Sequence, residues 1–190
     1  MQVNELIKRM QVDKIAPFHC DENLRLRGLT EFRCITIEEY NDYINRRYCK
    51  HKYNEDELGI YILNLSVSDF YNSDYNSDKY KRYGIVKTLK NINRITSTMY
   101  YKDELVYTTF VILHEVGHWV HFKGSGMKSL DYYLWDINNR NKYINYIGKN
   151  RNSDPAEIFS MYRKIPSEKA ADEYALENIK DVLEKIRIYK

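Results

Sequence analysis

The chain has 190 residues, 43% hydrophobic and 30% charged, which is enough to bury a sizeable core and too apolar for a disordered tail. Its 30 Lys and Arg against 27 Asp and Glu leave +3, too weak an imbalance to point to nucleic acid, and no run of about 18 apolar residues offers a membrane span. Three cysteines without a CxxC pair, and an opening MQVNELIKRMQVDK with charges in every turn, argue against a disulfide framework and a secretory signal, so a cytoplasmic location is expected.

Residues 3–12 read as a short amphipathic helix with Val3, Leu6, Ile7 and Met10 on one side. FRCITI (32–37) reads as a strand, and 38–50 as a helix with Tyr40, Ile44 and Tyr48 on one face. GIYILNLSV (59–67) is the strongest strand, apolar enough for the middle of a sheet. The stretch 69–80 carries two copies of YNSD and no aliphatic residue, which predicts an exposed loop. RYGIVKTLK (82–90) and NRITSTMYY (93–101) read as two further strands joined by a polar turn. A long helix is expected from about Asp103, as N-cap, to about Phe122, with Gly124 and Gly126 as stop signals. Residues 127–150 predict one helix around 129–137 and another around 140–147. Asp154-Pro155-Ala156-Glu157 combines an N-cap, a proline at the first helical position and an acid at N3, so a helix starts there. Pro166 interrupts it, and a last helix covers roughly 166–187. No linker divides the chain, which predicts a single domain over 1–190 with lobes at about 1–126 and 127–190. A strand-rich front and a helical back make the class α+β.

Within the long helix stands HEVGH, residues 114–118. His at i and i+4 project from one face about 6 Å apart along the axis, so His114 and His118 can reach one zinc ion. Glu115, turned about 100° from His114, flanks such a metal and can hold a water there. The competing reading is a buried helix with hydrogen-bonded core histidines, and two His and a Glu are costly to bury on an apolar helix without a metal. Catalytic zinc needs a third protein ligand and an open position. In IPSEKAADEYALENI (165–179), Glu168 and Asp172 share a face bordered by Ala171 and Ala175. These small residues, opposite Gly117, let the last helix press on the HEVGH helix. Glu168 then reaches the metal, and Asp172 accepts a hydrogen bond from the outer nitrogen of a ligating His. The plainer alternative makes both of them solvated helix charges beside Lys169.

HEVGH followed by E-x-x-A-D-x-x-A, here Glu168, Ala171, Asp172 and Ala175, resembles the gluzincin metallopeptidases, and among them the small ImmA/IrrE-type enzymes and related proteins of phages and integrative elements. The resemblance implies a zincin-like fold: a small strand-rich N-terminal lobe whose long HExxH helix packs against a helical C-terminal lobe. It implies Zn²⁺ on His114, His118 and Glu168, with Glu115 as general base. It also implies a protein or peptide substrate, a repressor of the helix-turn-helix type being the family's kind of target. The chain departs from the family in the 49 residues between His118 and Glu168, and in the run Leu176-Glu177-Asn178-Ile179, which is less apolar than usual.

The activity expected is that of a zinc-dependent endopeptidase, with no direct nucleic-acid or membrane contact. The rival is a non-catalytic zincin scaffold that serves as a binding or sensor module. The strand at 93–101 offers an edge for an extended substrate. His121, about 10 Å along the axis from His114, is too far to share its metal and reads as a packing or surface residue. Tyr132, Tyr133, Tyr162 and Tyr174 are candidate donors to an oxyanion. RRYCKHKY (46–53) reads as a solvated helix end and Glu157 as a helix cap, while His19 and His51 have no ligand partners nearby in sequence.

Overall fold

A computed structural model describes residues 1–26, 28–36, 39, 57–96, 101–149 and 154–188. Helix α1 (Val3–Met10) buries Val3, Leu6, Ile7 and Met10, one helical stripe, and Gln11 ends it at φ 59°. After a 3-10 turn (Val12–Lys14) come β1 (Phe18–Asp21), β2 (Thr30–Arg33) and β3 (Gly59–Leu63). The apolar β3 is central as expected, parallel to β1 and antiparallel to β2, with Ile60 opposite both Phe18 and Phe32. β2 starts two residues before the expected strand and stops at Arg33. The helix expected over 38–50 lies, apart from Glu39, outside the described residues.

The exposed loop expected over 69–80 is helical instead. Helix α2 (Val67–Tyr75) starts on Ser66 as N-cap, whose Oγ accepts from Asp69 N at 3.0 Å and donates to the Asp69 carboxylate at 2.6 Å. Val67, Phe70 and Asp74 face inward, and Asp74 accepts from Lys81 Nζ at 2.5 Å and the Tyr107 hydroxyl at 2.9 Å. The second YNSD ends α2 and caps the next helix, Asp78 Oδ1 accepting from Tyr80 N and Lys81 N at 2.7 and 2.8 Å. That helix, α3 (Lys79–Thr96), replaces the two strands expected at 82–90 and 93–101 as far as Thr96, and 97–100 lie outside the described residues. Ile85, Thr88, Leu89 and Ile92 are buried at helical spacing, so packing of one stripe overrides the strand preference of Ile, Val and Thr. The front of the chain is therefore not strand-rich: among the described residues, three strands of four or five residues stand beside α1 to α3 and the long helix that follows.

Helix α4 (Asp103–Gly124) carries HEVGH. Lys102 takes the N-cap position, which puts Asp103 and Glu104 in the first turn where the helix dipole favours acids, and Gly126 at φ 66° turns the chain away. Helix α5 (Ser129–Lys149) is continuous where two helices are expected, because Asn139 Nδ2 donates to Trp135 O and Arg140 pairs with Asp136 across the expected break. Helix α6 (Pro155–Tyr162) starts on Asp154, which accepts from Ala156 N at 3.0 Å, and α7 (Pro166–Ile188) runs to the end of the described chain. Among the described residues no helix is long and apolar enough to cross a membrane.

The architecture is α+β, with α4 at its centre. α1, β3, α2, α3 and α7 share one apolar core with it, and a smaller cluster of Cys34, Phe122 and Tyr132 lies under α5. In that core α7 comes close to α4: a Cβ at Gly117 would stand 2.7 Å from Ala171 Cα and 2.8 Å from its carbonyl oxygen. Gly117→Ala is therefore expected to lower stability by a net ~1–2 kcal/mol in a denaturant titration, because a clash with backbone puts the overpacking cost in the upper part of its ~1–3 kcal/mol range, above alanine's ~1 kcal/mol helix advantage. Gly124→Ala, with nothing within 4 Å, should show no such loss.

Candidate metal centre

Two helices and a strand build the site. α4 presents His114, Glu115 and His118, the first turn of α7 presents Glu168, and Asp172 follows one turn later. His114 Nε2 stands 3.2 Å from His118 Nε2 and 3.2 Å from Glu168 Oε2, and His118 Nε2 stands 3.5 Å from Glu168 Oε1. Ligand atoms about 2.0–2.2 Å from a tetrahedral ion lie roughly 3.3–3.6 Å apart, and the distances from His114 Nε2 to His118 Nε2 and to Glu168 Oε2, 3.2 Å each, come close to that spacing. They form a group that can hold a metal ion, with donor atoms all within 4.8 Å of one another. Glu168 Oε2 is buried without an aligned hydrogen-bond partner among the described residues, and such an orphaned acceptor is what a cation satisfies.

The surrounding groups orient these donors. Asp172 Oδ1 lies 2.9 Å from His114 Nδ1, which turns the Nε2 lone pair of a neutral His114 toward Glu168 and His118, and Arg163 pairs with the same carboxylate. Sequence reasoning missed β2's part: Thr30 Oγ1 donates to Glu115 Oε1 at 2.6 Å, and Phe32, on the same strand face, stacks on His118 with ring centroids 5.6 Å apart. It missed α5's part as well, where Arg140 reaches Glu168 Oε1 at 2.6 Å. The Asp136–Arg140 spacing of i, i+4 is the only local sign of that helix's polar stripe. His121 Nδ1 is 2.8 Å from the Tyr132 hydroxyl, a packing role. His19 stacks on Tyr61, Glu157 accepts from the Tyr146 hydroxyl, and 46–53 lie outside the described residues.

Burial dominates the electrostatics. It pushes His118 down to about 3, leaving that imidazole neutral. On His114 burial also pushes down, but the carboxylates of Asp172, Glu168 and Glu115 outweigh it and lift the group to about 9. Burial would raise Glu168, yet His118, His114 and Arg140 hold it well below the usual carboxylate range. Glu115 is raised by its burial against the pull of His114 and Thr30. A proton on His114 and a metal ion therefore compete for the same lone pairs.

Comparison of the chain with protein-family models, with curated proteins and with solved structures finds no match. The chemistry of the site rests on its own residues.

Metal uptake has to displace the His114 proton. Affinity for Co²⁺ in a chelator-competition titration should weaken by up to about tenfold per pH unit below about 9. Asp172→Asn, which removes the proton's main support, should flatten that slope. Glu168→Ala should cost far more metal affinity than Glu157→Ala or Glu173→Ala, since Glu157 serves α6 and Glu173 is exposed beside Lys169. Equal losses would mean that another carboxylate binds the ion.

Proposed function

We propose that the chain is a zinc-dependent endopeptidase of the gluzincin type, most similar in its motifs to the ImmA/IrrE-type enzymes. The observation that carries this reading is the convergence of His114, His118 and Glu168, with donor atoms within 4.8 Å of one another, beside Glu115, a buried carboxylate outside the donor set. Two imidazoles and a carboxylate with an open fourth position form a catalytic zinc set, and the bound ion supplies Lewis acidity toward a peptide carbonyl and an acidified water. Glu115, raised by burial and steadied by Thr30, is suited to take the proton of the attacking water and pass it to the leaving amine.

The surroundings fit a peptide substrate. A cleft of about 430 Å³ runs from Thr30 and His114 to Asp74 and Lys81, walled by Phe110, Val111, Tyr143 and Phe159. The charges along it are already paired, Asp74 with Lys81 and Arg163 with Asp172, so it favours a large uncharged side chain next to the scissile bond. Of the four candidate tyrosines, Tyr162 lines this cleft and is the proposed donor to the oxyanion, its hydroxyl standing in hydrogen-bond reach of Glu168 at the ligand set. Tyr132 is held by His121, and Tyr174 packs over Gly117. β2, an edge strand that touches both Glu115 and His118, takes over the substrate-pairing role that α3 denies to 93–96. The resemblance extends the proposal to a helix-turn-helix repressor as substrate in a cytoplasmic setting, a step that rests on analogy.

The purified protein should carry about one zinc per chain, and Glu115→Gln should keep the zinc and abolish peptide cleavage. Tyr162→Phe should lower kcat by roughly 10²-fold with zinc retained. Metal analysis and cleavage of a helix-turn-helix repressor or a peptide library read both outcomes. Zinc bound by a wild type that cleaves nothing would make the chain a binding module instead.

A further inference from the structure

Glu168 meets a cation that belongs to the protein itself. Arg140 places Nη2 2.6 Å from Glu168 Oε1 while its Nε holds Asp136 Oδ2 at 2.6 Å. The other oxygen of Asp136 accepts from Ser167 Oγ, and Ser167 directly precedes Glu168. Four side chains thus close a ring in which α5 grips the first turn of α7, through Asp136 and Ser167 on one side and Arg140 and Glu168 on the other.

Both oxygens of Glu168 border the imidazoles, Oε2 at 3.2 Å from His114 Nε2 and Oε1 at 3.5 Å from His118 Nε2. A carboxylate so placed can chelate an ion through both oxygens, and chelation fills the position that a water needs. We infer that Arg140 is a positioning residue that keeps Glu168 a one-oxygen ligand. It commits Oε1 to a charge-assisted hydrogen bond and leaves Oε2, which has no aligned partner among the described residues, to the metal. Arginine suits this task because its rigid fork holds Asp136 and Glu168 together, whereas a lysine ammonium is a single point charge. The inference rests on the metal reading of His114, His118 and Glu168.

The test uses the full chain, stripped with a chelator and reloaded with Co²⁺, whose visible absorption is strong with four ligands and weak with five or six. Arg140→Met keeps the bulk and removes the charge. Its Co²⁺ absorption should drop toward that of a higher coordination number. Arg140→Lys should recover part of the absorption. Asp136→Asn, which loosens Arg140 without touching Glu168, should shift the spectrum the same way by a smaller amount. An Arg140→Met protein with the wild-type spectrum overturns the inference and leaves the metal site standing. Should that variant not fold, an unchanged spectrum in Asp136→Asn overturns it equally. A wild type that takes up no Co²⁺ overturns the metal reading, and this inference with it.

Discussion

Helix α7 comes so near α4 at Gly117 that any side chain there would run into the backbone of Ala171. Gly117 lies between the two histidines of the motif, and Ala171 lies one turn after Glu168 and next to Asp172. One contact therefore sets the reach of the carboxylate toward both imidazoles and the reach of Asp172 toward His114. Metal sites tolerate ligand displacements of only about 0.2 Å, so a pair of helices held further apart would leave Glu168 short. What holds them is apolar: Ala175, Ile179, Val182, Leu183 and Ile186 continue down α7 into the core shared with α1 and α4. The hydrophobic effect supplies the driving force, and the two small residues convert it into the spacing of a polar site.

The same closeness concentrates charge in a poorly solvated place. Glu115, Glu168, Asp172 and Asp136 face Arg140 and Arg163, so four carboxylates against two guanidiniums leave two formal negative charges. Buried carboxylates without compensation are costly, and the groups respond as that cost requires. His114 holds a proton against its own burial, and Glu115 is pushed toward its neutral form. Both responses lower the excess. A divalent cation at the convergence of the three ligands would remove it altogether, which is an argument for metal independent of the spacing of the donor atoms.

The sequence carried the site's skeleton further than its walls. HEVGH and Glu168 with Asp172 are local patterns on helices, and spacing alone puts each set on one face, so these residues were legible. So were the apolar β3 and the cap at Asp154, which depend on residues next to one another. α2 and α3 were misread because Tyr, Asn and Ser blur the polarity of the 69–80 stretch, and because Ile, Val and Thr in 82–96 favour strands when considered one at a time. The N-cap at Ser66 and the buried spacing of Ile85, Leu89 and Ile92 were the better signals, since they report how a whole segment packs. Thr30 and Arg140 were out of reach for another reason. Each meets its partner, Glu115 or Glu168, across a long stretch of chain, and no period in the sequence encodes such a meeting.

What separates a catalytic metal site from a structural one is the fourth position, and the neighbours that could fill it are otherwise engaged. His121, the third histidine on α4, spends its Nδ1 on the Tyr132 hydroxyl and packs against Trp135 with the two rings tilted. Cys34 is buried with Phe122 and Tyr132, and burial together with Asp136 pushes its thiol up to about 12, so it stays protonated and a poor ligand. Among the described residues this leaves Glu115 as the remaining ionisable group of the motif, bonded through one oxygen to Thr30. A closed structural site would have no use for a carboxylate raised by burial and set beside its ligands. A hydrolytic site does, because the proton of an attacking water has to go to a base that can give it up again. The arrangement of α4 therefore supports the endopeptidase over the inert scaffold, on the strength of where His121, Cys34 and Glu115 are held.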